Sequence, residues 1–174
     1  LKLASGFAPV ARMMELGCNV GIGTDGSASN NDLDMFEEIR LANLIAKATT
    51  GDPTVLPARQ TLQMATILGA KALHMDELIG SLEPGKRADI ILIDISPVHN
   101  QPRFKREPDG IYAQIIYASK STDVTDTMVN GKWLMREHSL LAVTEKELIE
   151  QHQIYTAKMD AFIISHETSV LSKF

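Results

Sequence analysis

The sequence predicts an α/β protein made of part of a parallel sheet or barrel, a strand-rich unit and a long terminal helix. Three observations lead to this prediction. Helix-like and strand-like segments alternate in about the first 75 residues, an order typical of α/β folds. Strand-like composition and an Asn-Gly turn follow between residues 88 and 135. From residue 144 onward the pattern is helical.

The first predicted element is a helix over about residues 7–16. Ser5 or Gly6 can cap its N-terminus, where the first N–H groups of a helix lack backbone partners. Apolar residues follow at helical spacing, which predicts one buried face. Gly17 can end the helix, because glycine readily takes the left-handed conformation found after many helices.

A strand is predicted next, over residues 18–25. Val20, Ile22 and Thr24 have strand-forming side chains and alternate with glycines, which indicates a short, fully buried strand ending at Asp25. One parallel strand cannot form a sheet, so we expect its partner strands to precede this chain. Unpaired, it would leave several backbone groups without partners at about 1–3 kcal/mol each, against a domain's net stability of about 5–15 kcal/mol. We therefore expect that the chain does not fold natively alone.

Two further helices complete the first half of the chain. Asn31 or Asp32 can cap the first of them, and Gly51 begins the segment that ends it. Pro57 can start the second, because the first position of a helix needs no N–H. The apolar positions predicted to face the core are Leu33, Phe36, Leu41, Leu44, Ile45 and Ala48 on the first helix, and Leu62, Met64, Ala65, Leu68, Ala72 and Leu73 on the second.

Near residue 79 the sequence changes from helical patterns to strand-like composition. Residues 88–95 include a run of isoleucine and leucine and are predicted to form a strand. Residues 96–109 contain three prolines and are predicted to form a loop. Residues 111–119 are ambiguous between strand and helix, and we interpret them as a short helix.

The clearest local signals lie in the last third of the chain. A β-hairpin is predicted over residues 127–135, because Asn130 and Gly131 both accept the positive φ that a two-residue hairpin turn requires. A long helix is predicted to begin at Thr144. Glu147 follows three residues later, and this spacing is the capping-box pattern of a helix N-terminus.

Composition excludes several classes of partner. The chain has 174 residues and a formal net charge of −5, without a basic run that could follow a phosphate backbone, so no nucleic-acid partner is expected. No apolar run approaches the roughly 20 residues needed to cross a bilayer. Cys18 is the single cysteine, which favours a reducing compartment and a cytoplasmic location. The chain begins with Leu, so we expect a fragment or a trimmed chain.

Asp25 is the main candidate for chemistry. An aspartate at the C-terminal end of a buried strand, followed by glycine and a polar loop, lies where α/β barrels keep their catalytic groups. A carboxylate there can bind a metal ion and take a proton from metal-bound water. The alternative is that Asp25 only caps a turn or a helix.

The residues around Asp25 belong to a longer pattern that includes residues 1–6, 23–26 and 29–38. Further matching segments are residues 51–53, 56–57, 64–66, 69–73, 79–86, 88–89 and 129–132. Together these segments resemble the amidohydrolase superfamily over about residues 1–135. The branch they resemble most is that of the 5-methylthioadenosine/S-adenosylhomocysteine deaminases.

The resemblance implies a (β/α)8 TIM-type barrel with a small β-sandwich built from both chain ends. Residues 1–77 would be the C-terminal segment of the barrel, with strand eight and its flanking helices. Residues 78–142 would be the C-terminal part of the composite β-sandwich, and residues 143–174 a terminal helix. The last helix could cover the barrel or a partner subunit, so a homo-oligomer is left open.

The resemblance also implies an activity. Asp25 matches the family's aspartate at the end of barrel strand eight, which binds a single zinc or iron ion and carries a proton. Metal-bound hydroxide attacks the purine carbon that bears the amino group, and the aspartate helps to deliver a proton to the departing ammonia. The implied substrates are small adenine nucleosides, 5'-methylthioadenosine, S-adenosylhomocysteine and adenosine, which become inosine analogues and ammonia.

The chain lacks the rest of the family's site. The family's His-x-His pair, its further histidines and its glutamate match nothing here, and none of the five histidines has the right setting. Zinc usually takes three or four protein ligands, so we expect this chain alone to be inactive.

Three loop residues are secondary candidates for the site. Ser27 and Asn30 are weak candidates for substrate binding, and Ser29 could touch substrate or orient Asp25. The alternative is that all three shape the loop and cap the helix. Lys2 is expected near the same site, and its role is open.

Two other functions remain open from the sequence. A related amidohydrolase could act on another C–N or C–Cl bond, as guanine deaminases, cytosine deaminases and triazine chlorohydrolases do. The chain could also be an inactive truncated protein. The residues that would separate these alternatives are not expected within this chain.

Overall fold

The computed structural model describes residues 2–104 and 109–171, with side chains described up to residue 166. These residues form an α/β structure with a sheet in the second half. In chain order the elements are α1 (Val10–Glu15), α2 (Met35–Thr50), α3 (Ala58–Met64), α4 (Ile67–Ala72), β1 (Ile90–Ile93), α5 (Gly110–Tyr117), β2 (Val124–Val129), β3 (Lys132–Arg136), β4 (Ser139–Leu140) and α6 (Glu145–Leu171).

Residues 18–25, predicted to be a fully buried strand, carry no secondary structure. Val20 and Ile22 are only partly buried, and Asp25 is exposed. Within the described residues, two backbone hydrogen bonds join the segment to helices, from Cys18 N to Met13 O of α1 at 3.0 Å and from Ile22 N to Met64 O of α3 at 3.3 Å. The strand prediction is wrong here because a strand is defined by hydrogen bonds to a neighbour, and the described strands all lie beyond residue 89.

Two glycines allow residues 18–25 to lie close against α4. A Cβ on Gly21 would be 3.0 Å from the Gly69 Cα, and a Cβ on Gly69 would be 2.9 Å from the Met64 carbonyl oxygen. A side chain at Gly21 would therefore push the segment away from α4, and one at Gly69 would clash with the end of α3 at the Met64 carbonyl, against which the segment is bonded. Glycines usually weaken a strand, and here Gly21 and Gly69 are points of close approach.

The first two helices begin later than predicted. The N-cap of α1 is Pro9 rather than Ser5 or Gly6. The N-cap of α2 is Asp34 rather than Asn31 or Asp32. Its Oδ1 accepts hydrogen bonds from Phe36 N at 2.8 Å and from Glu37 N at 3.3 Å.

The end of α2 is as predicted, but its buried face is rotated. Gly51 ends the helix in the left-handed conformation, with φ of 68°. Leu33 and Leu44, predicted to face the core, are 47% and 46% exposed. The prediction is confirmed for Phe36 and wrong for Leu33 and Leu44, because a buried asparagine, described below, faces the core in place of a leucine. The buried residues of α2 are Phe36, Ile39, Asn43 and Ala46.

The single helix predicted after Pro57 is two helices. Pro57 is the N-cap of α3, as expected for a proline at a helix start. The chain then breaks at Thr66, which has φ of −132° and ψ of −105°. A core cluster forms around this break, from Ala46, Leu56 and Met64, with Val10, Met14, Val20, Ile22, Val55 and Leu68 packed against it.

A buried asparagine joins three helices. Asn43 Nδ2 donates to Leu56 O at 2.6 Å and to Thr61 Oγ1 at 2.8 Å, and its Oδ1 accepts from the Tyr117 hydroxyl at 2.5 Å. We call these contacts the Asn43 network. Beside it, Arg40 donates to the backbone carbonyls of Ile116 and Ser119 at the end of α5.

The sheet is antiparallel, in the order β1-β2-β3-β4. The predicted strand and hairpin are confirmed as β1 and as β2 with β3. Asn130 and Gly131 have φ of 48° and 77°, as the turn requires. The fourth strand follows a second turn at Glu137 and His138, which also have positive φ.

The capping box of the terminal helix is confirmed. Glu147 N donates to Thr144 Oγ1 at 3.2 Å, and Thr144 N donates to Glu147 Oε2 at 2.8 Å. Every side chain described on α6 is exposed. Among the described residues, no helix is long and apolar enough to span a membrane.

The loop before α5 is held by a buried carboxylate. Asp123 Oδ2 lies 2.8 Å from His99 Nε2 and accepts from Asn100 Nδ2 at 3.1 Å and from Lys120 N at 2.9 Å. Burial raises the pKa of Asp123, but the hydrogen bonds from His99, from the Lys120 backbone and from Asn100 outweigh it and lower the pKa below 3.8. Pro108, in the predicted loop, lies outside the described residues.

We predict that Asn43→Ala destabilises the protein by about 1–3 kcal/mol, because it removes the buried hydrogen bonds from Asn43 to the Leu56 carbonyl and Thr61 and from Tyr117 to Asn43. The measurement is the free energy of unfolding in urea. Asn19→Ala, at an exposed asparagine, is the matched control. Equal stability of the two variants would contradict the structural importance of the Asn43 network.

We predict that Asp123 makes stability depend on acid pH. A carboxyl group with a lowered pKa in the folded state stabilises the fold fully above its unfolded pKa, near 3.8. That stability is lost as pH falls through the lower folded pKa. Asp123→Asn should therefore flatten the dependence of unfolding free energy on pH below about 4. An equally steep dependence in the variant would refute this assignment.

Candidate functional site

Asp25 lies at the end of the segment that packs on α4, and a tight turn follows it. The backbone of Asp25 is left-handed, with φ of 60°, which is uncommon for a residue with a side chain. The turn is closed by Ser29 N and Asn30 N, which donate to Gly26 O at 3.0 and 2.9 Å. This turn brings Ser29 back over the aspartate.

The Asp25 carboxylate is exposed but held by its own loop. Ser29 Oγ donates a hydrogen bond of 2.6 Å to Asp25 Oδ2. This bond, and then one from the Gly26 backbone, lower the pKa of Asp25, while slight desolvation acts in the opposite direction. Asp25 is therefore ionised near neutral pH and carries the negative charge that a cation requires.

The weaker candidates are placed differently from one another. Asn30 is half-buried, and its amide is used within the protein: Nδ2 donates to Glu38 Oε1 at 2.7 Å, and Oδ1 accepts from Leu33 N at 2.9 Å. Ser27 is exposed in the turn. The structure thus brings Ser29 to Asp25 and ties Asn30 to the start of α2. Substrate binding by Ser27 or Asn30 stays a prediction.

Lys2, which sequence reasoning left without a role, is bonded to the loop that follows Asp25. Its Nζ donates to Ala28 O at 3.0 Å and to Asn31 Oδ1 at 2.7 Å. These acceptors lie on either side of Ser29, so Lys2 holds the loop that carries Ser29. The sequence alone does not reveal these contacts, because Lys2 and its nearer partner Ala28 are 26 residues apart. The only sequence signal for Lys2 is its position in the family pattern.

A cleft of about 790 Å³ opens beside this loop, between the N-terminal segment and α2. Lys2, Ser29 and Asn30 line its polar side, while Asp25 lies outside the cleft lining. Its apolar side is lined by Phe7, Val10, Val20, Ile22, Leu41, Ile45 and Met64.

Within residues 2–104 and 109–171, no three His, Cys, Asp or Glu side chains come together as a metal site would require. The described histidines include His99, which contacts Asp123 rather than Asp25. An exposed, ionised carboxylate is nevertheless a suitable oxygen ligand for zinc. The residues present fit a metal as one ligand of a site, and not as a complete site.

Comparison with known proteins decides the family. The profile of the amidohydrolase family matches residues 1–134. The chain belongs to the amidohydrolase family. This amidohydrolase chain is 49% identical over 151 residues to 5-methylthioadenosine/S-adenosylhomocysteine deaminase of Moorella thermoacetica, covering 87% of the chain and 34% of that protein. It is 48% identical over 151 residues to 5'-deoxyadenosine deaminase of Methanosarcina acetivorans, covering 87% and 33%.

The amidohydrolase chain also matches solved structures of an adenosine deaminase and an atrazine chlorohydrolase. An adenosine deaminase from Xanthomonas campestris with bound zinc matches with a TM-score of 0.86 and 39% identity, over 92% of the chain and 35% of that structure. Atrazine chlorohydrolase from Arthrobacter aurescens TC1 with zinc matches with a TM-score of 0.73 and 28% identity, over 86% and 32%. The chain thus spans about a third of the length of these relatives.

These matches confirm the family resemblance and its nearest branch. The match to the adenosine deaminase confirms the fold of amidohydrolases over 92% of the chain, and the structure shows the α/β content with a four-stranded sheet and a terminal helix. The complete barrel and the composite β-sandwich stay predictions, as do the domain bounds at residues 77 and 142.

We predict that Asn30→Ala loosens the start of α2 locally. Loss of the bond from Leu33 N to the Asn30 side chain, worth about 0.5–1.5 kcal/mol, should speed hydrogen exchange of the Leu33 amide by roughly 2- to 10-fold. The Phe36 amide, which donates to Asp34, is the internal control and should keep its exchange rate. Unchanged exchange at Leu33 would show that Asn30 does not hold this turn.

Proposed function

We propose that this chain is one part of a zinc-dependent aminohydrolase that deaminates adenine nucleosides. Its substrates would be 5'-methylthioadenosine, S-adenosylhomocysteine or adenosine, and its products the inosine analogue and ammonia. Support comes from the names of relatives near 49% identity, all of them deaminases of adenosine derivatives. Because the chain covers about a third of each relative, the complete protein would join it to the remaining two thirds.

The observation that carries the proposal is the state of Asp25. It is an ionised, exposed carboxylate, fixed by Ser29 at the end of the segment that matches the family pattern. We assign it two roles, metal ligand and proton carrier. The other ligands would come from outside this chain, since the described residues hold no further ligand cluster.

The chemistry divides between the metal and this chain. A bound zinc ion would activate water for attack on the purine carbon that bears the amino group. Asp25 would accept the proton of that water and return it to the departing amine, because an amide anion is a poor leaving group and ammonia a good one. Zinc is the metal of the two solved relatives described above, and neither offers support for iron.

We propose the domain assignment on the same basis. Residues 1–77 would belong to the hydrolase barrel, residues 78–142 to the small β-sandwich, and residues 143–174 to a separate helix. The antiparallel sheet at residues 90–140 supports the second unit. The substrates and the free-thiol cysteine Cys18 support a cytoplasmic location.

A chlorohydrolase reaction is the second candidate. Its support is the structural match to atrazine chlorohydrolase, but identity to that protein is 28%, against 49% and 48% for the two deaminases. The identities therefore favour deamination. An inactive truncated chain is the third candidate, and the test below addresses it.

We predict that the complete protein releases ammonia from S-adenosylhomocysteine or 5'-methylthioadenosine, and that a chelator abolishes the release. Asp25→Asn should lower the rate by about 100-fold or more, in line with the loss of a general acid–base group. Asp32→Asn, an exposed neighbour in the same loop, is the matched control and should keep activity. This chain alone should be inactive.

Two outcomes would overturn the proposal. One is ammonia release that persists with the chelator. The other is an Asp25→Asn variant as active as the Asp32→Asn control. Chloride release from a chlorotriazine without ammonia release from the nucleosides would instead favour the second candidate. A complete protein that folds and binds zinc but releases neither product would favour the third.

A further inference from the structure

We propose that Ser29 and Lys2 are positioning residues for Asp25. Lys2 holds the loop at residues 26–31, and Ser29, carried on that loop, fixes the orientation of the Asp25 carboxylate for binding a divalent cation. This inference rests on the proposed function of Asp25 as a metal ligand. It adds two residues that act on the cation through Asp25 and do not themselves bind it.

The first step is the direction of the Ser29 hydrogen bond. Ser29 Oγ lies 2.6 Å from Asp25 Oδ2 and 3.0 Å from Gly26 O. A hydroxyl has a single proton to donate. The shorter contact is to a charged acceptor, and such bonds are the stronger ones, so the proton is directed at Asp25. One carboxylate oxygen is thereby held, which limits rotation of the group.

The second step is the backbone that carries this bond. Asp25 is in the left-handed conformation, which a residue with a side chain keeps only when its surroundings impose it. The turn supplies that constraint, because two amides donate to Gly26 O and close the loop. Ser29 follows four residues after Asp25, so the turn sets the distance between their side chains.

The third step is the anchor of the turn. Lys2 comes from a different part of the chain, and its ammonium group contacts Ala28 O and Asn31 Oδ1 simultaneously. These two acceptors flank Ser29 on both sides. Loss of Lys2 would free both flanks of the turn, and Ser29 would spend less time over Asp25.

Ser27 provides an internal contrast. It lies in the same turn, carries the same hydroxyl and is exposed. The hydrogen bond to Asp25 Oδ2 comes from Ser29. Ser27→Ala and Ser29→Ala remove the same group from the same turn, and only Ser29→Ala removes a hydrogen bond to the Asp25 carboxylate.

The experiment measures zinc affinity of the metal-free complete protein by competition with a chromophoric chelator. Ser29→Ala should weaken zinc binding by about 10- to 100-fold, the usual effect of removing a hydrogen bond that orients a ligand. Ser29→Thr keeps a hydroxyl and should restore affinity, and Ser27→Ala should bind as the unchanged protein does. Circular dichroism of each metal-free variant checks that it folds.

Lys2→Met tests the anchor with a side chain of similar length and no charge. It should weaken zinc binding in the same direction as Ser29→Ala. Because both residues act through one hydrogen bond, the double variant should bind zinc about as weakly as Ser29→Ala alone, and the losses should not add. Lys71→Met, at an exposed lysine of α4, is the matched control.

The outcomes separate this inference from the proposed function. If Asp25→Asn weakens zinc binding but Ser29→Ala does not, the positioning role of Ser29 is refuted, and the assignment of Asp25 as a metal ligand is retained. Fully additive losses from Lys2→Met and Ser29→Ala would refute the link through Lys2. If Asp25→Asn binds zinc as tightly as the unchanged protein, both the inference and the proposed function are refuted.

Discussion

The Asn43 network is the interaction on which the arrangement of the first half of the chain depends. Asn43 lies fully buried on α2 and bonds to the segment before α3, to α3 itself and to the end of α5. In a low-dielectric interior each of these polar groups needs a partner, so the bonds fix both distance and rotation between the elements. Apolar packing alone would tolerate other rotations of α2.

The loop of the candidate site is held in place by contacts with α2. Asp34 caps that helix, and Asn30 is tied to Glu38 within its first turns. The loop after Asp25 is therefore fastened at its far end to a helix that the Asn43 network holds. It is also fastened by Lys2, which bonds to Ala28 and Asn31, and at its near end by the turn at Gly26. An exposed carboxylate gains a defined orientation in this way without being buried.

How much the sequence predicts depends on the range of the interaction. The hairpin at Asn130 and Gly131 and the start of α6 at Thr144 are predicted correctly because their signals lie within four residues. Asn43 is missed because its partner Tyr117 lies 74 residues away. The strand at residues 18–25 is wrong for a related reason, since strand character in a sequence says nothing about whether a neighbour is present to pair.

The candidate site shows the same difference between short-range and long-range signals. The sequence makes Asp25 a candidate because a short family pattern surrounds it. Distinguishing Ser27, Ser29 and Asn30 requires the direction in which each side chain leaves the turn. Lys2 requires the three-dimensional path of the chain.

The break between α3 and α4 has a consequence for residues 18–25. In one continuous helix the carbonyl of Met64 would accept the amide of Leu68, as the i to i−4 ladder demands. The interruption at Thr66 withdraws that oxygen from the ladder and offers it to Ile22 N instead. The interruption of one helix thus provides an acceptor for the middle of residues 18–25, whose first residue is bonded to α1 through Cys18 N. The path of the chain toward Asp25 therefore depends on where α3 ends.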